Sequence, residues 1–173
     1  MPDRLIVDGY NLMYADEELK SLMREDLQVA RDMLLALIED YCAREEHRAL
    51  VVFDAGGRPG PATTENRSAF LEVAYTAAGQ TADAYIEKLA YGLPGEESHL
   101  TMLVTGDYDQ QKVASGAGLL RVSSREFLID MRGSRKLADE ATSRGRKSRK
   151  RVPLEERLPE DVRSALDRFR EPR

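Results

Sequence analysis

Short apolar runs recur along the chain, and several of them end on an aspartate. Leu5-Ile6-Val7 runs into Asp8-Gly9, and Leu50-Val51-Val52-Phe53 into Asp54-Ala55-Gly56-Gly57. Leu71-Glu72-Val73-Ala74-Tyr75 is a more polar candidate strand. Leu100-Thr101-Met102-Leu103-Val104 leads into Thr105-Gly106-Asp107, and Leu119-Leu120-Arg121-Val122 follows. Runs this short, with little polar alternation, suit strands buried on both faces of a parallel sheet.

Between the runs the period changes. From Asp26 to about Glu45, Leu27, Ala30, Met33, Leu34, Leu37, Ile38 and Tyr41 recur at i, i+3, i+4, i+7 spacing, which predicts an amphipathic helix. Thr81 is placed to cap a second helix that ends near Tyr91, before Gly92 and Pro94. Asp107 or Asp109 is placed to start a third, which fails at Gly116. Strands alternating with helices predict an open parallel α/β sheet with right-handed crossovers. The Gly- and Pro-rich connection from Ala55 to about Arg67 is expected to be a mobile loop.

Composition narrows the setting. A chain of 173 residues is large enough for one domain with a real core. No apolar run approaches the roughly 20 residues that a membrane span needs. The first residues enter a strand-like segment with no room for a signal peptide, so a cytoplasmic protein without membrane attachment is expected. A single cysteine, Cys42, excludes an internal disulfide and a cysteine-based zinc site, and its place on the apolar side of a helix predicts core filler. His47 and His99 lie outside any motif and are expected at the surface, which argues against a histidine acid–base pair. No Gly-x-x-x-x-Gly-Lys-Ser/Thr segment is present, so a phosphate-binding loop of that type is not expected.

Charge is unevenly spread. Residues 1–130 carry 12 Lys and Arg against 23 Asp and Glu, whereas residues 131–173 carry 14 against 8. Within the basic part, Arg144, Arg146, Lys147, Arg149, Lys150 and Arg151 place six cations in eight residues without an apolar side chain. Such a run cannot pack and is expected to be disordered or transiently helical by itself. It suits sequence-independent contact with nucleic-acid phosphates, with a solubilising tail as the alternative. Beyond it, Val162, Leu166 and Phe169 suggest a short final helix.

The acids carry the chemistry. Asp8, Asp54 and Asp107 each follow an apolar run at the carboxyl end of an expected strand, the edge where open α/β sheets bind ligands. Asp109 follows two residues after Asp107, and Asp83 falls in the first turn of the helix from Thr81. Each has a structural alternative: Asp8 or Asp54 as a turn former, Asp83 as a helix-dipole partner, Asp107 with Gln110 as an N-cap pair. Taken together, carboxylates gathered without a basic partner call for a cation. An all-oxygen set favours Mg²⁺ or Mn²⁺ over zinc. Tyr10 and Tyr108 adjoin these acids; core packing is expected of them, with base stacking as the alternative. Arg58 and Arg67 in the loop serve either to guide a strand of nucleic acid or as plain connector.

Val7-Asp8-Gly9-Tyr10-Asn11 resembles the opening motif of NYN domains, a branch of the PIN-like nucleases. The later segments agree in order: Val51-Val52-Phe53-Asp54-Ala55, then Thr81-Ala82-Asp83 with Ile86-Glu87-Lys88-Leu89, then Val104-Thr105-Gly106-Asp107 with Gln111. The pattern is similar to the YacP-like group, whose best-understood activity is ribosome-associated mRNA cleavage. The resemblance implies a PIN-like open sandwich, with a central parallel sheet flanked by helices over residues 1–130. Residues 131–173 would be a basic extension ending in a short helix.

It further implies that Asp8, Asp83 and Asp107 are motif acids, with Asp54 and Asp109 as further ligands and Asn11 organising the pocket. The implied activity is a Mg²⁺- or Mn²⁺-dependent endoribonuclease acting on RNA, in particular mRNA on the ribosome. Two departures stand out, because glutamates are expected where Gln80 and Ala84 occur. They favour the rival reading, an RNA- or ribosome-binding module whose nuclease centre is weak or lost. A phosphatase is a weaker third reading, since the first strand lacks the Asp-x-Asp of a covalent aspartyl mechanism.

Overall fold

The strand β1 (Arg4–Asp8) lies at the middle of the sheet, which is why Leu5, Ile6 and Val7 are all apolar and all buried. It pairs in parallel with β2 (Arg48–Phe53) on one side and β5 (Thr101–Val104) on the other. Outward from β2 come β4 (Leu71–Tyr75), parallel, and β3 (Thr63–Asn66), antiparallel; outward from β5 comes β6 (Leu120–Val122), parallel. The order β3-β4-β2-β1-β5-β6 makes β1 the point where the chain changes direction across the sheet. The computed structural model describes residues 2–56 and 59–148, with side chains through Ser143.

Alternate residues of each central strand serve two cores. Leu5, Val7, Ala49, Val51, Phe53, Leu71 and Val73 pack beneath α1 (Gly9–Ala15), α2 (Glu17–Glu25), α3 (Leu27–Glu45) and the start of α7 (Ser124–Ser148). Ile6, Leu50, Val52, Ala74 and Leu103 pack on the other face under α4 (Ala82–Gly92) and α6 (Tyr108–Gly116). The short α5 (Gly95–Ser98) leads into β5. Each fully buried aliphatic side chain contributes about 1.5–3 kcal/mol. Cys42 is buried among the helices, as expected, and burial pushes its thiol up to about 12.

Several elements depart from the sequence reading. The connector after Ala55 holds β3, whose Thr63-Thr64-Glu65-Asn66 is exposed throughout and owes its strand geometry to pairing with β4. His47 is buried rather than superficial, 6.0 Å from the Tyr41 ring at the turn after α3. The turn itself needs Glu46 in the left-handed region, at φ 58°. Helix α3 is the one that periodicity predicts, capped by Asp26, but α1 and α2 precede it unpredicted, with Asp16 capping α2 through side-chain bonds to its second and third amides.

Helix α7 continues through Ser148, so the first part of the basic run is helical, an extension that adds one bond per residue to a nucleus already formed. Contacts divide the chain into Met1–Arg135 and Lys136–Arg173. The sheet belongs to the first unit. In the second, the described stretch is helical, with Thr142 Oγ1 donating to Ala138 O at 2.9 Å. Among the described residues no helix is long and apolar enough to cross a membrane.

Candidate active site

Parallel pairing brings the carboxyl ends of β2, β1 and β5 side by side, and the helices that follow begin there. Asp8 is the last residue of β1 and also the N-cap of α1, its Oδ1 accepting from Asn11 N at 3.0 Å. Asp107 caps α6, with Oδ1 accepting from Asp109 N at 2.8 Å and Gln110 N at 3.2 Å. Asp83 lies in the first turn of α4, which Thr81 caps. Three helix N-termini therefore point into the same edge of the sheet, where their dipoles favour negative charge.

The side chain that joins these elements is Gln110. Its Nε2 donates to Asp8 Oδ2 at 3.1 Å and to Asp83 Oδ1. Burial raises the Asp8 carboxyl above its ordinary range, assisted by the charge of Asp107 and opposed by the bonds from Asn11 and Gln110. Asp83 is raised by burial first, then by the charges of Asp8, Asp107 and Asp54. The acids thus feel one another as a single negative cluster. Asp54 contributes its charge, although its Oδ1 is spent on Gly56 N at 2.9 Å. Asp109 borders the same depression of about 180 Å³ with Asp83, Asp107 and Gln110, but its side chain is 90% exposed and pairs with Lys112 at 3.6 Å.

Asn11 lies at this edge and bridges three elements through contacts that the sequence did not disclose. Its Oδ1 accepts from Gly106 N and from Ser124 Oγ, both at 2.7 Å, tying α1 to the loop before Asp107 and to the start of α7. A Cβ at Gly106 would sit 2.8 Å from Asn11 Oδ1, so any other residue here would push that oxygen off its two partners. Thr105, wholly buried, accepts from Asp107 N at 3.1 Å, and Gln111 Nε2 holds the Thr105 carbonyl at 2.9 Å. Arg121 in turn donates to Gln111 Oε1 at 2.8 Å. Gln110, Thr105 and Ser124 escaped the sequence reading because none is an acid; the pairing of Asp107 with Gln110 was visible only as a helix cap.

Tyr10 packs edge-on against Phe53 and accepts from Arg31, whose guanidinium also lies over the Phe53 and Tyr75 rings at 5.4 and 6.0 Å. That is the packing role expected of it. Tyr108 differs: it is 68% exposed, with Lys112 Nζ 4.4 Å from its ring centre. Arg67 pairs with Asp32 at 3.1 Å, while Arg58 lies outside the described residues. Of the basic run, Arg144, Arg146 and Lys147 fall in α7 beyond the described side chains, and Arg149, Lys150 and Arg151 lie outside the described residues, as does the stretch expected to form a final helix.

Among the described residues, no three His, Cys, Asp or Glu side chains are already drawn together tightly enough to enclose an ion. The donor set nonetheless fits a hard cation that keeps most of its own water. It is all oxygen and it repels itself, and the Gln110 side chain that joins Asp8 to Asp83 keeps a buried Oε1 without a partner.

The sequence profile of the YacP-like NYN domain matches residues 5–171. The chain belongs to the YacP-like NYN domain family. YacP of Bacillus subtilis (strain 168) is 36% identical over 129 residues, 75% of each chain. The crystal structure of Rae1 (YacP) from Bacillus subtilis superposes with a TM-score of 0.69 at 30% identity, covering 97% of this chain and 94% of that one. A mutant of the same Bacillus protein gives a TM-score of 0.71 at 33% identity, covering 96% and 99%. The α/β sandwich of this NYN protein is accordingly a PIN-like nuclease fold, and its family is a nuclease family.

Proposed function

We propose that this NYN protein is a divalent-metal-dependent endoribonuclease that cleaves mRNA, with the ribosome as the place where it meets its substrate. The observation that carries the reading is the convergence of Asp8, Asp83 and Asp107 at the carboxyl edge of the sheet, all three bonded by one residue, Gln110, through its side-chain amide and its backbone N–H. Mg²⁺ or Mn²⁺ bound there supplies a water of lowered pKa and charge to offset that of the phosphate. Asp8 and Asp107 are the residues to hold the ion. Asp83, more open and with its carboxyl raised, is suited to orient the attacking water and take its proton. Asn11 acts at one remove by holding the Gly106–Asp107 loop. Asp54 adds negative charge at the rim, and Asp109 is free to swing in from its exposed pair with Lys112.

The run Arg144–Arg151 provides the phosphate contacts that hold RNA while the acidic edge cuts it, in the cytoplasm where translated mRNA is found. A second reading, an RNA-binding module with a weakened centre, is favoured by Gln80 and Ala84. Titrating Mn²⁺ into the protein and into Asp107→Asn, with cleavage of an unstructured RNA as readout, separates them. Metal-dependent cleavage lost in Asp107→Asn is expected. RNA binding without cleavage at any Mn²⁺ concentration would establish the second reading.

A further inference from the structure

Gln110 has no part in the reaction above, yet its side chain occupies the middle of the acidic cluster. The residue is 6% exposed, and both N–H bonds of its amide are committed, one to Asp8 and one to Asp83. Its Oε1 is buried and accepts nothing. Protein interiors rarely leave an acceptor in that state. Turning the amide over would relieve nothing, because the oxygen would then face two carboxylates. The direction of the amide is thus set by the acids' demand for positive charge, and a neutral group meets it incompletely. The backbone adds to this: Gln110 N donates to Asp107 Oδ1 at 3.2 Å, which fixes the side chain's origin beside the third acid.

We propose that Gln110 is a placeholder for the cation: in the metal-free chain its amide occupies the position between Asp8 and Asp83 that the ion takes, and metal binding displaces it. The proposal rests on the metal-dependent reading above and adds a control on it. Gln110 keeps mutually repelling carboxylates assembled before metal arrives, and it raises the cation concentration at which the site fills. It is a positioning residue, acting through Asp8 and Asp83.

The test is Mn²⁺ binding by the full chain, followed by the loss of the free-ion EPR signal and by calorimetry. The variants are Gln110→Ala and Gln110→Met, the second keeping the length without donors. Both are expected to melt lower than wild type without metal. Both should bind Mn²⁺ at least about tenfold more tightly, because the two charge-assisted hydrogen bonds to Asp8 and Asp83 no longer have to be broken. An unchanged Mn²⁺ affinity would make Gln110 a structural brace, and a weakened affinity would make it a ligand; either result overturns the proposal.

Should both variants fail to fold, the side-chain NH₂ resonances of Gln110 in wild-type protein carry the reading. They should move to ordinary glutamine positions as Mg²⁺ is added, and their staying fixed while the site saturates would overturn it. Asp8→Asn separates the two levels. If it binds Mn²⁺ like wild type, the metal reading fails and the placeholder with it. If it loses Mn²⁺ while the Gln110 variants do not tighten, the placeholder alone fails.

Discussion

Asn11→Ala removes one carbonyl oxygen and with it two long-range bonds. Ser124 Oγ, 2% exposed, would be left buried without its partner, a cost of about 1–3 kcal/mol. Gly106 N is exposed and can turn to water, so that bond counts for about 0.5–1.5 kcal/mol. Alanine recovers roughly 0.5 kcal/mol through its higher helix propensity in α1. The net loss is about 1–4 kcal/mol, which lowers the melting temperature of a domain this size by about 2–16 °C. Urea denaturation of Asn11→Ala, Ser124→Ala and the double variant measures it, with a coupling of about 1 kcal/mol expected between the two sites. Asn11→Asp keeps both acceptor bonds and should unfold far closer to wild type. Strictly additive single losses, or an Asn11→Ala midpoint equal to wild type, would refute the bridge between α1, the Asp107 loop and α7.

The raised Asp8 carboxyl fixes a sign. A folded pKa above the ordinary 3.8 stabilises fully below that value and is lost as pH rises through the folded pKa. In metal-free buffer the stability of wild type relative to Asp8→Asn should therefore fall as pH climbs above about 4, and parallel curves would contradict the burial of this group. Gly9→Ala would push a methyl group into the Phe53 ring, which is itself wedged between Tyr10 and Tyr75. It should cost about 1–3 kcal/mol by thermal melts, and a neutral result would show that the ring can swing aside. Replacing the six cations of Arg144–Arg151 with Gln should flatten the slope of log affinity against log salt, as read by filter binding at several salt concentrations. The change should be about 0.7 for each single-strand phosphate that the run no longer neutralises. An unchanged slope would reduce the run to a solubilising tail.

The central strands were legible because burial on both faces forces uninterrupted apolar runs, as in Leu5-Ile6-Val7 and Val51-Val52-Phe53. The edge strand β3 was not, since Thr63-Thr64-Glu65-Asn66 packs no side chain and is defined by hydrogen bonds to β4. Helix α7 was overlooked although its start is written as a capping box: Ser123 N donates to Glu126 Oε2 at 3.0 Å and Glu126 N to Ser123 Oγ at 3.2 Å. At the site, aspartates following strands could be found from sequence because topology gathers strand ends. Gln110 could not: its role depends on α4 and α6 lying side by side, which no local pattern encodes.

The placement of β1 between β2 and β5 has a consequence for when activity can first arise. Asp8 is made early, but its neighbours across the sheet edge come from positions 83 and 107, and the amide that links them from position 110. Until that last segment has cleared the exit tunnel and β5 has docked against β1, the growing chain carries isolated aspartates and no assembled centre. Parallel strands joined by long crossovers close late in folding. The acidic edge of this NYN protein is therefore complete only once its own sheet has closed, so synthesis order itself delays the assembly of the site.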